Sequence, residues 1–419
     1  MLNKLTKIKA GALQYVLVIS VIIAILLLTF VLLINLQRQL SIKNTFYKQA
    51  IFNVNYGVDY LSNSEIEYNQ VLSKQFSDNT KETTSVLKKK WGLFDLGIVT
   101  SKVGKEFHQK IGLLGWKQEK RKALYLQDNN TPLVMVGNSN ITGDAYLPKR
   151  GVKTGNIGGT SFYGDKLITG FDYASTNKLP QSINLKQVEE LLNRSYLNGS
   201  IKNFELEEEL NLLQSFNKNT LLYESTSDVY LHNISLKGNI IISSNRKIII
   251  DASTKLNDII LIAPEIELKK NVIGNFQIFA TKTIIVNENC KINYPSSLVL
   301  LDKSKTEKEE NKIELKDGVI FRGVLVYKKD NNEKKRSYTP QIIIKEKASV
   351  EGEVYCEENL ELLGKVEGTV IAKNFITNQF GNTYINHIYN GKINVKELPE
   401  QYVGLKLESN HQNVAKWLY

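Results

Sequence analysis

Side chains able to do chemistry are thinly spread along this chain. The four histidines, His108, His232, His387 and His411, lie in four separate segments, and the two cysteines are Cys290 and Cys356. No His-Glu-x-x-His, Cys-x-x-Cys or Gly-x-Ser-x-Gly spacing occurs, so the local patterns that place zinc ligands, redox thiols or a serine nucleophile are missing. The glycine-rich run 155–164 is not closed by Gly-Lys-Ser/Thr and reads as tight turns. Acid–base cleavage of a polysaccharide would need carboxylates, or a Lys or Arg with carboxylates, converging on one face. The candidates are Glu267, Glu314 and Glu361, which recur at one place in a repeat but alternate with isoleucine. Asp144, Asp165 and Asp172 could offer oxygens to Ca²⁺, but Asp is also a common turn residue. The expectation is therefore no enzyme, no cofactor and no metal site.

The elements that position these residues repeat. A short apolar unit recurs at Ile248, Ile266, Ile284, Ile313, Ile342 and Leu360, with starts separated by 18, 18, 29, 29 and 18 residues. Both long gaps contain a charged stretch, 302–312 and 328–339, which reads as a solvated loop inside an otherwise regular repeat. Aligned on these starts, the third position is Ile250, Leu268, Val286, Leu315, Ile344 and Leu362. The seventh is Thr254, Val272, Cys290, Val319, Ala348 and Val366, small and mostly apolar. First and third positions apolar while the second varies is the period of a strand. A second unit, apolar-x-Gly-x-apolar, occurs at Leu236, Phe321, Val350 and Val366, with an earlier copy at Ile141. Its glycine suits a corner between strands.

The pattern predicts a mainly β chain, a parallel β-helix (β-solenoid) whose stacked strands bury one continuous core. A β-sandwich or several small sheets is the competing arrangement. Cys290 falls on the inward column and reads as a small core residue.

The net charge of +11 is carried largely by loops such as 88–90, 117–122 and 328–336. Solubility accounts for it, and so does attraction to an anionic polymer such as acidic polysaccharide or peptidoglycan. Aromatic residues do not interleave with the basic ones, so no specific nucleic acid partner is expected.

Residues 10–34 carry no charge. As a helix of that length they span about 37 Å, enough for a bilayer core of about 30 Å. Leu13, Val18, Ile22, Leu26, Phe30 and Ile34 are the expected membrane anchor. Lys4, Lys7 and Lys9 precede the run, which favours a cytoplasmic N-terminus with the bulk of the chain exported, on the periplasmic or extracellular side of a bacterial inner membrane. A cleaved secretory signal is the rival, although the apolar run is long and no Ala-x-Ala-like site follows.

The start of the chain, a basic stretch ending in Gly11 followed by Ala12, Leu13, Gln14, Tyr15 and Val16 and a long apolar helix, resembles type IV pilin-like proteins of the minor pilin or pseudopilin kind. The resemblance implies cleavage between Gly11 and Ala12 by a prepilin peptidase. Most members carry Glu five residues after that glycine, where this chain has Val16. An ordinary signal anchor would also explain the segment. The units at Val350 and Val366 are similar to bactofilin-type polymer-forming repeats, which implies scaffold work without catalysis.

The whole chain divides, on this reading, into a leader and transmembrane helix (1–35), a helical stalk (36–78), a small β neck (79–122), first β-helix coils (123–180), a helical insertion (181–218), the main β-helix (219–395) and a C-terminal cap or tail (396–419). Val188, Leu191, Leu192 and Tyr196, then Phe204, Leu206, Leu210 and Leu213, set the helical period of the insertion. The expected function is a non-catalytic, membrane-anchored structural or assembly protein of the bacterial envelope, its partners the lipid bilayer and envelope or pilus-like assembly proteins. The alternative is a module that binds an anionic glycan or cell-wall polymer, followed by a carbohydrate-active enzyme.

Overall fold

The computed structural model describes residues 10–76, 82–181, 189–190, 192, 201–304, 310–330, 338–407, 409 and 411–419. The protein is mainly β, 51% strand, with one long N-terminal apolar helix. It divides into two compact units.

The first unit comprises Met1–Asp59, Val71–Val86 and Val99–Lys110. The helix Ala10–Asn63 runs without a break, and every residue from 11 to 45 is exposed. It is long and apolar enough to cross a membrane. Such a surface needs lipid or protein around it, because an all-round apolar helix is unstable in water. Further along, Ala50, Asn53 and Val54 are fully buried. Gly57 has no Cβ, and one built there would strike the Val99 side chain. Asn53 donates from Nδ2 to Ser101 Oγ at 3.4 Å and accepts from Gln49 at 2.9 Å, and Thr84 donates to the same Ser101 hydroxyl at 2.9 Å.

The second unit, Tyr60–Gln70, Leu87–Ile98 and Ile111–Tyr419, contains, among the described residues, a 24-stranded sheet, parallel except where Asn382–Ile385 pairs with Lys365–Gln379. Three ladders can be followed through it. In the first, Ile248, Ile266, Ile284, Ile313, Ile342 and Leu360 are register partners from one repeat to the next. The second joins Tyr223, Ile242, Leu261, Ile278, Leu298, Leu325, Val354 and Val370. Leu212, Leu236, Leu256, Gly274, Ile292, Phe321, Val350 and Val366 form the third. Inward residues of all three share one core. Each fully buried Ile or Leu there contributes roughly 1.5–3 kcal/mol.

The corners follow from residue type. Asn271, Asn289 and Gly318 occupy equivalent turns at φ +64°, +61° and +74°, a left-handed conformation that Asn and Gly adopt at least cost. Gly323, Gly352 and Gly368 are ladder partners. A Cβ at Gly352 would collide with the Gly323 carbonyl oxygen, and one at Gly368 with that of Gly352. The sheet's outer face around Ile241, Phe279, Val299 and Tyr355 is covered by Trp91, Phe94, Leu113 and Leu405 in a second apolar layer.

Several expectations need correction. Residues 123–180 are first in sequence but last in the stack: Leu124 pairs with Val370, Ala145 with Leu124, and Asp172 with Ala145. In parallel, Ile393 pairs with Val366, Ile141 with Ile393, and Ile168 with Ile141. Local periodicity reveals the columns but not the order in which they stack. Val366 does not continue the Thr254–Ala348 column; it faces Val350, because the repeat after Leu362 is two residues shorter. Residues 201–216 of the expected helical insertion instead form the strands Ile201–Asn203 and Asn211–Gln214, whose pairing with Thr220–Ser225 and Ser235–Gly238 overrides a helix-like spacing of Leu and Phe. Val188, Leu191 and Tyr196 lie outside the described residues. The helix ends at Asn63, so the helical stalk stops short of residue 78, and Val71–Lys74 is a strand. The C-terminus is not a cap on the stack: Gln412–Trp417 pairs antiparallel with residues 112–116. Residues 124–174 cover the last repeat instead.

Candidate functional site

The three glutamates of the repeat do occupy one column. Glu267 lies opposite Ile249 and Ile285, Glu314 opposite Ile285 and Ile343, and Glu361 opposite Ile343. Each is already occupied. Glu267 bonds Lys247 and Lys269, both at 2.7 Å, Glu314 pairs with Lys312 at 3.2 Å, and Glu361 accepts from the Asn378 amide at 3.0 Å. Burial alone would raise the Glu267 carboxyl, but its two lysines outweigh burial and hold it down at about 2. It stays ionised, the reverse of what a general acid requires.

The other candidates do not converge. His108 packs edge-on against Tyr47, His387 sits beside Tyr384, and His232 lies 3.9 Å from Glu208. Asp144 accepts from the Phe171 amide at 3.3 Å, as a turn residue does. Among the described residues no group of three or more His, Cys, Asp or Glu is placed to hold a metal ion. Cys290 and Cys356 are buried free thiols, and burial pushes the Cys290 thiol up to about 11, far from a reactive thiolate. At the N-terminus, Gly11 and Ala12 lie on the exposed helix, and among the described residues a Cβ built at Gly11 would meet nothing within 4 Å. Leu13, Val18, Ile22, Leu26, Phe30 and Ile34 are each more than half exposed.

One recess does gather polar side chains, and the stacking order makes it. Ser349, Lys365, Lys392 and Asn140 are successive register partners along the outer side of the third ladder. Beside them lie two adjoining grooves, about 450 and 350 Å³, that share Asn138, Lys365 and Lys392 in their walls. This is the size range of sites for small ligands. The Asn138 amide donates to Asn390 Oδ1 at 2.9 Å, Thr142 donates to Asn140 Oδ1 at 3.0 Å, and Asn394 donates to Glu397 at 2.7 Å. Lys365 is tied to Glu367, a hydrogen bond that raises its pKa against the effect of burial, with Glu397 and Glu351 adding to the rise. Lys347, Lys392 and Glu346 also line the groove and make no ion pair among the described residues.

Sequence reading missed this groove. Asn138 and Lys392 stand far apart in the chain, and only the placement of residues 124–174 beyond the last repeat joins them. The Ile141-Thr-Gly143 copy of the corner unit was the available signal. It marked residue 141 as belonging to the same column as Val366 but carried no information on stacking order.

No protein-family model, no curated protein and no solved structure matches this chain.

Proposed function

We propose that this is a single-pass membrane protein of the bacterial envelope that presents a non-catalytic parallel β-helix for structural or assembly work, as a minor pilin-like component would. The observation that carries the reading is the helix Ala10–Asn63. Its residues 11–45 are wholly exposed and apolar for most of their length, while Ala50 and Val54 further along are buried. A helix passing unbroken from an apolar half to a packed half suits an anchor that continues as a stalk. Three facing parallel ladders around one apolar core support the β-helix. The occupied glutamate column supports a scaffold role, since each carboxylate is held in a pair or by a backbone amide. Processing between Gly11 and Ala12 rests on the pilin-like resemblance and on the exposure of both residues on the helix.

The orientation is tested with one added thiol. Arg150 is exposed, and the native Cys290 and Cys356 are buried and silent. In intact bacterial cells, Arg150→Cys should react with a membrane-impermeant maleimide, and the labelled chain should stay with membranes after an alkaline wash. Labelling only after lysis would reverse the orientation; release by the wash would remove the anchor.

A further inference from the structure

The groove beside Lys365 and Lys392 has a charge pattern that narrows its ligand. Its ionisable lining is Lys347, Lys365 and Lys392 against Glu346, Glu367 and Glu397, so the two signs balance. A balanced wall does not favour a purely anionic chain. Among the described residues of this lining, only Lys365 and Glu367 pair with each other. Glu346 and Lys347 adjoin in one turn, Lys392 and Glu397 lie in one later segment, and among the described residues these four form no ion pair with one another. Between them lie amides and hydroxyls from Asn138, Asn140, Thr142 and Asn394, groups that both donate and accept. Ser139, in the same wall, is 1% exposed, and its hydroxyl has no hydrogen-bond partner among the described residues.

We infer that this groove binds a polyhydroxylated chain carrying carboxylate and amide groups together, the chemistry of a peptide-bearing cell-wall glycan such as peptidoglycan. Hydroxyls and amides of such a chain match the Asn and Thr side chains. Its carboxylates match Lys347 and Lys392, and its amide or amine N–H groups match Glu346 and Glu397. The wall crosses successive rungs, from Lys347 through Lys365 and Lys392 to Asn140, at about 4.8 Å each. An extended polymer lying along the stack would meet the same kinds of group repeatedly. The inference goes beyond the anchoring proposed above and is tested without a membrane.

The experiment is co-sedimentation of the full chain in detergent with purified peptidoglycan sacculi, with soluble polygalacturonate as competitor. The wild type should pellet with sacculi, and polygalacturonate should compete weakly. Lys347→Glu with Lys392→Glu should weaken pelleting about tenfold. Lys102→Glu, an exposed site of the first unit, should leave it unchanged. Far-UV circular dichroism shows that each variant is folded. Failure of the wild type to pellet overturns the inference, as does undiminished pelleting of the double variant. An equal loss in Lys102→Glu, or full competition by polygalacturonate, would reduce the effect to general charge attraction and overturn it as well.

Discussion

Val370 and Leu124 are partners in one parallel ladder, the Val370 amide donating to the Ala123 carbonyl at 2.9 Å. The contact joins the last repeat of the stack to the strand of that sheet that comes first in the chain. The repeats from 201 onward therefore grow toward a strand already present in sequence, and the stack's far end is covered by residues 124–174. An open parallel edge there would be a template for pairing with another chain.

This order can be tested by cross-linking. Asn140 and Lys392 are register partners, so their Cα atoms are about 4.8 Å apart, within reach of a disulfide. Asn140→Cys with Lys392→Cys should oxidise to an intramolecular bond, visible as a mobility shift on a non-reducing gel. Asn140→Cys with Lys255→Cys should not. Failure of the Asn140–Lys392 pair to cross-link in the folded chain would contradict this order.

The glycine corner should be intolerant. Gly352→Ala would drive a Cβ into the Gly323 carbonyl, a backbone atom in a ladder that cannot move aside. The expected loss, read by urea unfolding, exceeds about 3 kcal/mol. Gly381→Ala is the control, because at φ +76° it carries strain but meets nothing within 4 Å; its cost should be about 1–2 kcal/mol. Equal losses would show that crowding between rungs contributes nothing.

A buried carboxylate ties the C-terminus to the repeats. Asp258, whose side chain is 1% exposed, bonds Lys416 at 2.6 Å and accepts from the Tyr419 hydroxyl at 3.1 Å. Lys416→Ala should cost about 3 kcal/mol, because it leaves a buried charge uncompensated. Asp258→Asn added to Lys416→Ala should recover part of that loss. Thermal or urea unfolding of the three variants checks the cycle; additive losses would contradict the coupling.

Glu353 gives the stability a dependence on pH. Burial pushes its carboxyl up to about 7, against the pull of the Leu405 amide and of Arg121. The folded state therefore holds this proton more tightly than the unfolded chain. Its contribution is fully present below about pH 4.5 and is lost as pH rises to about 7, on the order of 3 kcal/mol in all. Glu353→Gln keeps an acceptor for the Leu405 N–H and should flatten the stability profile across that window. Glu267, held at about 2, acts in the other direction: its contribution is present above its unfolded pKa and is lost only in strong acid. A profile unchanged by Glu353→Gln would show that the carboxyl is not buried as described.

Much of the strand register was legible. The Ile248–Leu360 and Ile250–Leu362 columns, the alternating glutamates and the glycine corners follow from a period of two within a period of 18. What stayed hidden depends on pairing between distant segments. No local pattern says that Leu124 lies on Val370, or that Gln412–Trp417 joins Glu106–Trp116. The helix expected around Phe204 and Leu213 was lost to strand pairing for the same reason. The groove was the least legible feature, since its walls come from both sides of the Val370–Leu124 junction.

The most direct measurement of the central claim is the N-terminal residue and intact mass of the chain recovered from native membranes. The account predicts a mature chain that begins at Ala12 and retains the whole apolar segment 12–34. A start at Met1 would keep the anchor and remove the proposed processing. A start beyond Ile34 would mean a protein released from the membrane and would contradict the account.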